Sequence, residues 1–393
     1  MRHKLHKYIE TMKTVQTELN LISSYPMQIP YAWEDILFFD IETTGFSAHT
    51  SFLYLIGCMY FKNGKWHMTQ WLSDEWNGEK EILTAFLTML TSYKRLVHYN
   101  GSGFDIPFIL QKCRQHNIPY AFDGIESFDI YKKLRPYKRV LPLSDFKLKT
   151  VESFLNLERK DTYSGEELIH VYANYLGRLQ YEKLNRSQSA PASDELSEIL
   201  LLHNMEDVKN LLKLSGLLYY TDIFGENPET YEIFSDFCDE YVRQITFRLP
   251  CILPRKISWE APLAGDCLRI SAADDEILLR IPIYKGELKY FYANYKDYYY
   301  LPKEDMAVHK SVAQFVDRDY REKAKASNCY RKQAGCFLPQ PEELAGPSFK
   351  SEYNDKVSFL DITNPFLKDA AGISRYIQSL IRYVLSDNDT KIN

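Results

Sequence analysis

The 393-residue sequence lacks the features that mark membrane, secreted or zinc-knuckle proteins. No stretch approaches the roughly 20 apolar residues of a membrane-spanning helix, and the N-terminal residues have no apolar core of the signal-peptide type. The seven cysteines are odd in number and form no CxxC pair, which argues against a zinc knuckle or a disulfide framework. With 53 acidic and 48 basic residues, the net charge of -5 excludes a basic nucleic-acid coat but leaves a local basic stripe open. We therefore expect a cytoplasmic protein with reduced thiols and no membrane partner.

Apolar periodicity predicts a polar helical leader at 1–30, a first folded unit at 31–220 and a second at 228–393. The first unit alternates predicted strands with predicted helices, which is typical of a mixed α/β sheet. Its strands are expected at 36–42, 52–61, 65–72 and 95–100, with a hairpin at Asn63-Gly64, and its helices near 81–90, 104–116, 146–155, 165–184 and 194–215. A surface loop is expected at 185–193 and a boundary at 225–228. The second unit combines tyrosine-rich strands at 268–301 with a helix at 373–385, which indicates an α+β domain.

Two acids lie at the end of the first apolar strand. Asp40 and Glu42 are two residues apart, so both carboxylates leave the same face of the strand just before the chain turns at Gly45. Two like charges this close repel each other unless they bind a cation or one of them is protonated. The alternative is a pair of exposed acids at a strand end, where acids commonly lie.

Two further segments carry acids in unusual positions. Asp105 begins a predicted helix directly after the glycine-rich turn that contains Asn100, although a first-turn acid also stabilises a helix through its dipole. His203 and Asp207 are four residues apart within a predicted helix, so they share a face with apolar neighbours. Polar groups inside an apolar stripe need a reason, and a shared site would supply one.

At these positions the chain resembles DEDD-type 3′–5′ exonucleases of the ribonuclease H-like superfamily. The resemblance rests on Asp40-Ile-Glu42-Thr-Thr-Gly45, on Asn100 with Phe104-Asp105, and on Asp207. The segments 97–107 and 144–152 are similar to the YprB-like ribonuclease H-like group. The resemblance covers about 35–215 and implies a mixed five-stranded sheet flanked by helices for the first unit; the second α+β domain lies beyond it.

The resemblance also implies a metal centre of two Mg²⁺ or Mn²⁺ ions. Asp40 would bridge the ions, Glu42 and Asp207 would complete one site, and Asp105 would help to hold the other through water. Hard oxygen ligands suit these ions. His203 departs from the family pattern, because it stands where one branch has tyrosine, while Leu202 occupies the position where the other branch has histidine. The general base therefore stays open, and His203 is either catalytic or a structural residue of the helix edge.

Several residues are candidates for substrate contact. By the resemblance, Thr43 belongs to the first motif, Phe46 stands where the family places an apolar wedge against the terminal base, and Asn100 supports the active-site turn or the substrate. A core position is the alternative for Phe46. Lys133 and Arg135 belong to the basic and aromatic run 131–139, which predicts a track for a single-stranded backbone; a solvated helix face is the alternative.

The sequence thus predicts a metal-dependent 3′–5′ exonuclease that hydrolyses phosphodiester bonds at ends of single-stranded DNA or RNA by a two-metal mechanism. A first alternative is a catalytically silent nucleic-acid-binding module that retains the fold. A second is a structure-selective endonuclease that uses the same metal centre. Loss of turnover without loss of binding in Asp40→Ala would exclude the first alternative. Cleavage of circular or 3′-blocked strands would identify the second.

Overall fold

The computed structural model describes residues 11–120, 122–185, 192–224, 232–236, 242–248 and 252–386. The chain divides into two compact units, Met1–Lys138 with Leu143–Tyr219 and Arg139–Pro142 with Tyr220–Asn393. Residues 186–191 of the expected surface loop and the expected boundary at 225–228 lie outside the described residues. Among the helices described, none is both long enough and apolar enough to cross a bilayer. Of the cysteines in the described part, Cys58, Cys113 and Cys329 are buried, and none of the five forms a disulfide.

The first unit alternates strands and helices along the chain. Its strands are β1 (Met12–Leu19), β2 (Ile36–Thr43), β3 (Leu53–Lys62), β4 (Lys65–Ser73), β5 (Arg95–His98) and β6 (Glu126–Asp129). Its helices are α1 (Glu79–Leu90), α2 (Asp105–Gln115), α3 (Ile130–Leu134), α4 (Leu148–Phe154), α5 (Gly165–Asn185) and α6 (Ala192–Leu214), and α7 (Leu218–Phe224) spans the limit of the unit. Short 3-10 turns occur at Trp33–Asp35, Arg135–Tyr137 and Ser215–Leu217.

The strands form one mixed sheet in the order β1-β4-β3-β2-β5-β6. The pairs from β1 to β2 are antiparallel, while β5 is parallel to both β2 and β6. The predicted hairpin between β3 and β4 is confirmed, because Asn63 and Gly64 adopt φ of 52° and 77°, the left-handed pair that a two-residue turn requires. The predicted α/β fold class is also confirmed.

The prediction of a helical leader is wrong for the residues that form β1. This strand pairs with β4 in antiparallel register, with Met12 opposite Ser73 and Leu19 opposite Trp66. The sheet therefore has six strands instead of the five expected. Its sequence, Met-Lys-Thr-Val-Gln-Thr-Glu-Leu, alternates half-buried and exposed positions, which suits an edge strand with one wetted face. Residues 1–10 of the leader lie outside the described part of the chain.

Helices cover both faces of the sheet. On one face α1 and α2 pack on β2, where the buried rings of Phe39 and Phe86 stack at 5.4 Å. On the other face α5 and α6 pack on β3, where Tyr54 and Tyr172 stack at 4.2 Å. Burial of an aromatic or aliphatic side chain of this size stabilises a fold by about 1.5–3 kcal/mol. Packing on both faces therefore determines which side chains of β2 face α1 and α2 and which face α6.

The second unit consists mostly of antiparallel strands. They are β7 (Glu232–Asp236), β8 (Val242–Arg248), β9 (Ile257–Leu263), β10 (Asp266–Ala273), β11 (Glu276–Pro282), β12 (Tyr284–Phe291), β13 (Tyr298–Leu301), β14 (Met306–His309), β15 (Glu322–Lys323), β16 (Tyr330–Gln340), β17 (Ser348–Phe349) and β18 (Ser358–Asp361). Their sheets have the orders β7-β8-β11-β10-β9, β12-β16-β18-β17 and β14-β13-β15. The helices α8 (Lys310–Ala313) and α9 (Ala370–Leu385) complete an α+β unit. Tyr292 and Tyr298 stack at 4.5 Å against a small core cluster, so these tyrosines serve sheet packing.

Candidate active site

Strand β2 presents two carboxylates to the layer that contains α6. Phe39 and Ile41 belong to the core shared with α1 and α2, so the intervening Asp40 and Glu42 point to the opposite face, on which α6 lies against β2. The side chain of Glu42 is only 12% exposed. The alternative of two exposed strand-end acids is therefore wrong.

Asp40 is held by a hydrogen-bond chain that begins in β4. Gln70 Nε2 donates to Asn204 Oδ1 at 3.0 Å, and Asn204 Nδ2 donates to Asp40 Oδ2 at 3.2 Å. Gly57, the residue of β3 opposite Asp40, makes room for this chain, because a Cβ there would lie 1.9 Å from Asn204 Oδ1. The sequence analysis did not identify Asn204, although it follows His203 directly.

Helix α6 brings His203 and Asp207 to the carboxylates of β2. His203 Nε2 lies 3.8 Å from Glu42 Oε1 and 3.5 Å from Asp207 Oδ2. One ligand atom from each of the three residues lies within 4.8 Å of the others. The one-turn spacing on α6 thus brings both side chains to the same place, as the sequence predicted.

Asp105 enters the site as the first residue of α2, and it is 6% exposed. Burial is the main cause that raises its pKa to about 7, opposed by its own backbone N–H and that of Ile41. The negative charges of Asp129 and Asp207 raise it further. With a pKa of about 7, Asp105 is partly protonated at neutral pH in the metal-free protein.

The four predicted acids interact with one another. Burial raises the pKa of Asp40 well above its usual range, and the charges of Asp105, Glu42 and Asp207 add to this effect, while the hydrogen bond from Asn204 opposes it. Burial and the charges of Asp207 and Asp105 likewise raise the pKa of Glu42. The fold therefore gathers acids from three distant stretches of the chain into one mutually repelling group.

A segment that the sequence analysis did not identify joins this group between α4 and α5. Arg159 Nη1 lies 2.5 Å from Asp207 Oδ1 and 2.9 Å from Glu152 Oε2, and Arg159 Nη2 lies 3.3 Å from Asp161 Oδ2. The guanidinium is 9% exposed and thus is a buried cation among acids. The available signal was the unbroken charged run at 158–161, which is more often a solvated loop.

Asp161 contacts the second nitrogen of His203. Its Oδ2 is 2.7 Å from His203 Nδ1, and its Oδ1 accepts a hydrogen bond from the backbone N–H of Tyr163 at 3.0 Å. Burial opposes ionisation of Asp161, but His203 and these neighbouring donors together lower its pKa. Glu206 of α6 holds this segment, because its carboxylate accepts a hydrogen bond from the backbone N–H of Asp161 at 3.0 Å. The same carboxylate forms an ion pair with Lys209 of α6 at 3.0 Å.

Two predicted substrate contacts lie where β2 ends. Thr43 Oγ1 donates to the carbonyl of Gly45 at 2.9 Å and thereby stabilises the turn. Phe46 is 93% exposed, with its ring edge-on to Phe104 at 6.2 Å. The alternative of a core position for Phe46 is wrong, because the ring projects into solvent.

Asn100 occupies a rigid turn after β5. It adopts φ of 60°, and its N–H donates to Asp129 Oδ1 at 2.9 Å, while the N–H of Ser102 donates to Asp129 Oδ2 at 3.3 Å. The buried His98 accepts the N–H of Gly101 at 3.0 Å through Nδ1. These bonds fix the backbone that leads into the helix of Asp105.

The same Asp129 also caps the N-terminus of α3, the helix that carries the first part of the basic run. Its Oδ1 accepts the N–H of Lys132 at 3.3 Å, as a helix cap does. Lys133 Nζ lies 4.6 Å from the centre of the Phe128 ring, and Arg135 is exposed at the next turn. One carboxylate therefore connects the Asn100 turn with the candidate backbone track.

The donors of the cluster fit a divalent cation. Glu42 Oε1 is buried and has no hydrogen-bond partner, which leaves a lone pair of a buried acid unsatisfied. The surrounding groups are carboxylate oxygens and one imidazole nitrogen, the donors that Mg²⁺, Mn²⁺ and related ions accept. Such an ion would offset both the cost of burying these charges and the repulsion between them, the two causes that raise the pKa values of these acids.

Comparison with known proteins assigns the first unit to a fold. Residues 37–219 match the model of the RNase_H superfamily, and this range contains every residue of the site. The first unit is thus a ribonuclease H-like domain. Among 52 matching solved chains, the family B DNA polymerase of the hyperthermophilic archaeon Pyrobaculum calidifontis is similar with 12% identity and a TM-score of 0.37. That match covers 67% of this chain and 35% of the polymerase chain, so the chain spans about a third of it. No curated protein matches the sequence.

Proposed function

We propose that the first unit is a metal-dependent 3′–5′ exonuclease that hydrolyses phosphodiester bonds at the ends of single-stranded nucleic acid. One observation carries the proposal: Asp40, Glu42, Asp105 and Asp207 form one group although they lie far apart in the chain. Buried acids that raise one another's pKa values cost stability, and such groups are concentrated at catalytic and metal-binding centres. The ribonuclease H-like fold of residues 37–219 supports the assignment to nucleic acid.

The four acids are the proposed ligands of two Mg²⁺ or Mn²⁺ ions. Bound ions of this kind activate water and neutralise the charge that develops on the attacked phosphate and on the leaving oxygen. The protein contributes position: Asn204 orients Asp40, Arg159 orients Asp207, and the first turn of α2 holds Asp105. These contacts hold the carboxylates in place before substrate arrives.

Exposed side chains near the end of β2 and on α3 support a single-stranded substrate. Phe46, four residues after Glu42, exposes its ring, which could stack on a terminal base, a contact worth about 1–3 kcal/mol per base. Lys133 and Arg135 are exposed on α3 and the turn that follows it, where they suit the phosphates of the preceding nucleotides. An exposed ring at the site and cations elsewhere on the domain favour a single-stranded end over an internal duplex position.

The test is a time course with the full chain on 5′-labelled DNA and RNA oligonucleotides. We expect a ladder that shortens from the 3′ side in Mg²⁺ or Mn²⁺ and stops in EDTA. Asp207→Asn should abolish the ladder. Asp194→Asn is the matched control, because Asp194 lies on the same helix and forms an exposed ion pair with Lys13 at 3.2 Å.

Three results would contradict the proposal. Undiminished cleavage in EDTA removes the role of metal. Cleavage of circular or 3′-blocked strands identifies an endonuclease. Binding without turnover by the wild-type chain, under conditions in which the bound strand is measured by anisotropy, identifies a silent binding module.

A further inference from the structure

The two nitrogens of His203 have different surroundings. Nδ1 lies 2.7 Å from Asp161 Oδ2, and a carboxylate can only accept, so Nδ1 carries the proton of that hydrogen bond. In the neutral ring Nε2 then carries the lone pair. This lone pair faces Glu42 Oε1 at 3.8 Å and Asp207 Oδ2 at 3.5 Å.

Lone pairs that face one another are unfavourable unless a proton or a metal ion lies between them. The ring is 5% exposed, so water does not freely screen this contact. Glu42 Oε1 in particular is buried without a hydrogen-bond partner. Two ligands bound to one first-row divalent ion at about 2.1 Å lie about 3.0–3.5 Å apart, so the 3.5 Å separation from Asp207 fits directly and the 3.8 Å separation from Glu42 requires a small side-chain movement.

We propose that His203 is itself a metal ligand, which together with Glu42 and Asp207 forms a mixed nitrogen–oxygen site for a first-row transition ion such as Mn²⁺. The inference rests on the proposed function, since it concerns the same centre, and it names the class of ion. Imidazole nitrogen favours first-row transition ions, whereas Mg²⁺ prefers oxygen ligands. The spacing of His203 and Asp207 by one helical turn is what allows both to reach one ion.

Asp161 is the positioning residue of this site. A histidine that binds a metal commonly donates its other N–H to a carboxylate, which fixes the ring orientation and increases its basicity. Asp161 is itself held by Arg159 at 3.3 Å and by the backbone N–H of Tyr163 at 3.0 Å. Its carboxylate therefore cannot swing away from the ring without breaking an ion pair and a turn.

The test uses Mn²⁺ alone with the full chain after removal of metal by EDTA and dialysis. Pulsed electron paramagnetic resonance should detect nitrogen hyperfine coupling to the bound Mn²⁺. Labelling of histidine with ¹⁵N should change that coupling without any substitution, so the result does not depend on a variant that folds. His203→Asn should remove the coupling, and His309→Asn, at an exposed position of the second unit, should retain it.

Affinity provides the second measurement. Asp161→Asn should weaken Mn²⁺ binding by about 10–100-fold, with a smaller effect on Mg²⁺. Bound Mn²⁺ without nitrogen coupling in the wild type, or coupling that persists in His203→Asn, would overturn the inference, as would an unchanged affinity in Asp161→Asn. If the chain cleaves nucleic acid in Mg²⁺ but bound Mn²⁺ shows no nitrogen coupling, the His203 site is refuted and the proposed function is not. If bound Mn²⁺ shows the coupling but the chain has no nuclease activity, only the proposed function is refuted.

Discussion

Replacement of Asp105 by asparagine should stabilise the metal-free protein at neutral and alkaline pH. The folded pKa of Asp105 is about 7, against about 3.8 for an unperturbed aspartate, so the folded state holds the proton more tightly than the unfolded chain. Below about pH 4 both states are protonated and the group contributes nothing. As pH rises to about 7, stability is lost at about 1.4 kcal/mol per pH unit, which sets a limit of about 4 kcal/mol. The introduced asparagine carries no charge and its amide oxygen can still accept the N–H of Ile41, so we expect a gain of about 2–4 kcal/mol at pH 8.

Urea unfolding in EDTA at pH 4 to 8, followed by tryptophan fluorescence, measures this difference. Four of the five tryptophans, Trp33, Trp66, Trp71 and Trp76, belong to the first unit, so the signal reports mainly on the domain that contains the site. The advantage of Asp105→Asn should grow with pH, and Mn²⁺ should stabilise the wild type more than the variant. Asp194→Asn should differ little from the wild type at any pH. An advantage of Asp105→Asn that is absent at pH 8, or equal at pH 4 and pH 8, would refute the electrostatic account.

Three further perturbations have defined outcomes. Gly57→Ala should lower the free energy of unfolding in urea by about 1–3 kcal/mol, because the new Cβ displaces Asn204. An unchanged free energy of unfolding would mean that α6 shifts to make room for the methyl group without cost. Arg159→Met should cost about 3–5 kcal/mol, since it leaves buried acids without their cation, and a stable variant would show that the network is dispensable. Replacement of Lys133 and Arg135 by glutamine should weaken single-strand binding for all sequences and reduce the salt slope by about 0.7 per cation, in anisotropy titrations; an unchanged slope would remove these residues from the track.

Local patterns were sufficient to predict most of the first unit. The apolar run of β2, the Asn63-Gly64 turn and the helical spacing of α1, α2, α5 and α6 are each encoded within a few residues. The strand β1 was missed because Lys13 and Glu18 lie within it and lend it the polarity of a surface helix. Its conformation depends on hydrogen bonds to β4, about fifty residues away in the chain, and no local pattern reports such a partner.

Local patterns also predicted part of the candidate site, namely the residues that stand in short motifs. Asp40, Glu42, Asp105 and Asp207 stand in recognisable motifs, and the structure places them in one group. Arg159 and Asp161 stand in a charged run whose usual place is solvent. Their burial becomes visible only after α6 and the segment 158–161 are placed side by side, because their partners come from other elements.

The charges of the site favour the binding of a cation. Arg159 pairs with Asp207 and Asp161, and in the described part of the chain no lysine or arginine forms an ion pair with Asp40, Glu42 or Asp105. Folding therefore assembles more negative charge than the protein neutralises; burial is the main cause of the raised pKa values, and the neighbouring acids add to it. A divalent ion supplies the missing positive charge, so the same repulsion that destabilises the metal-free domain strengthens the binding of metal. The stability of the metal-free domain and its affinity for metal therefore depend on the same repulsion between the acids. We expect a substitution that removes one of these charges to raise the stability and to weaken metal binding.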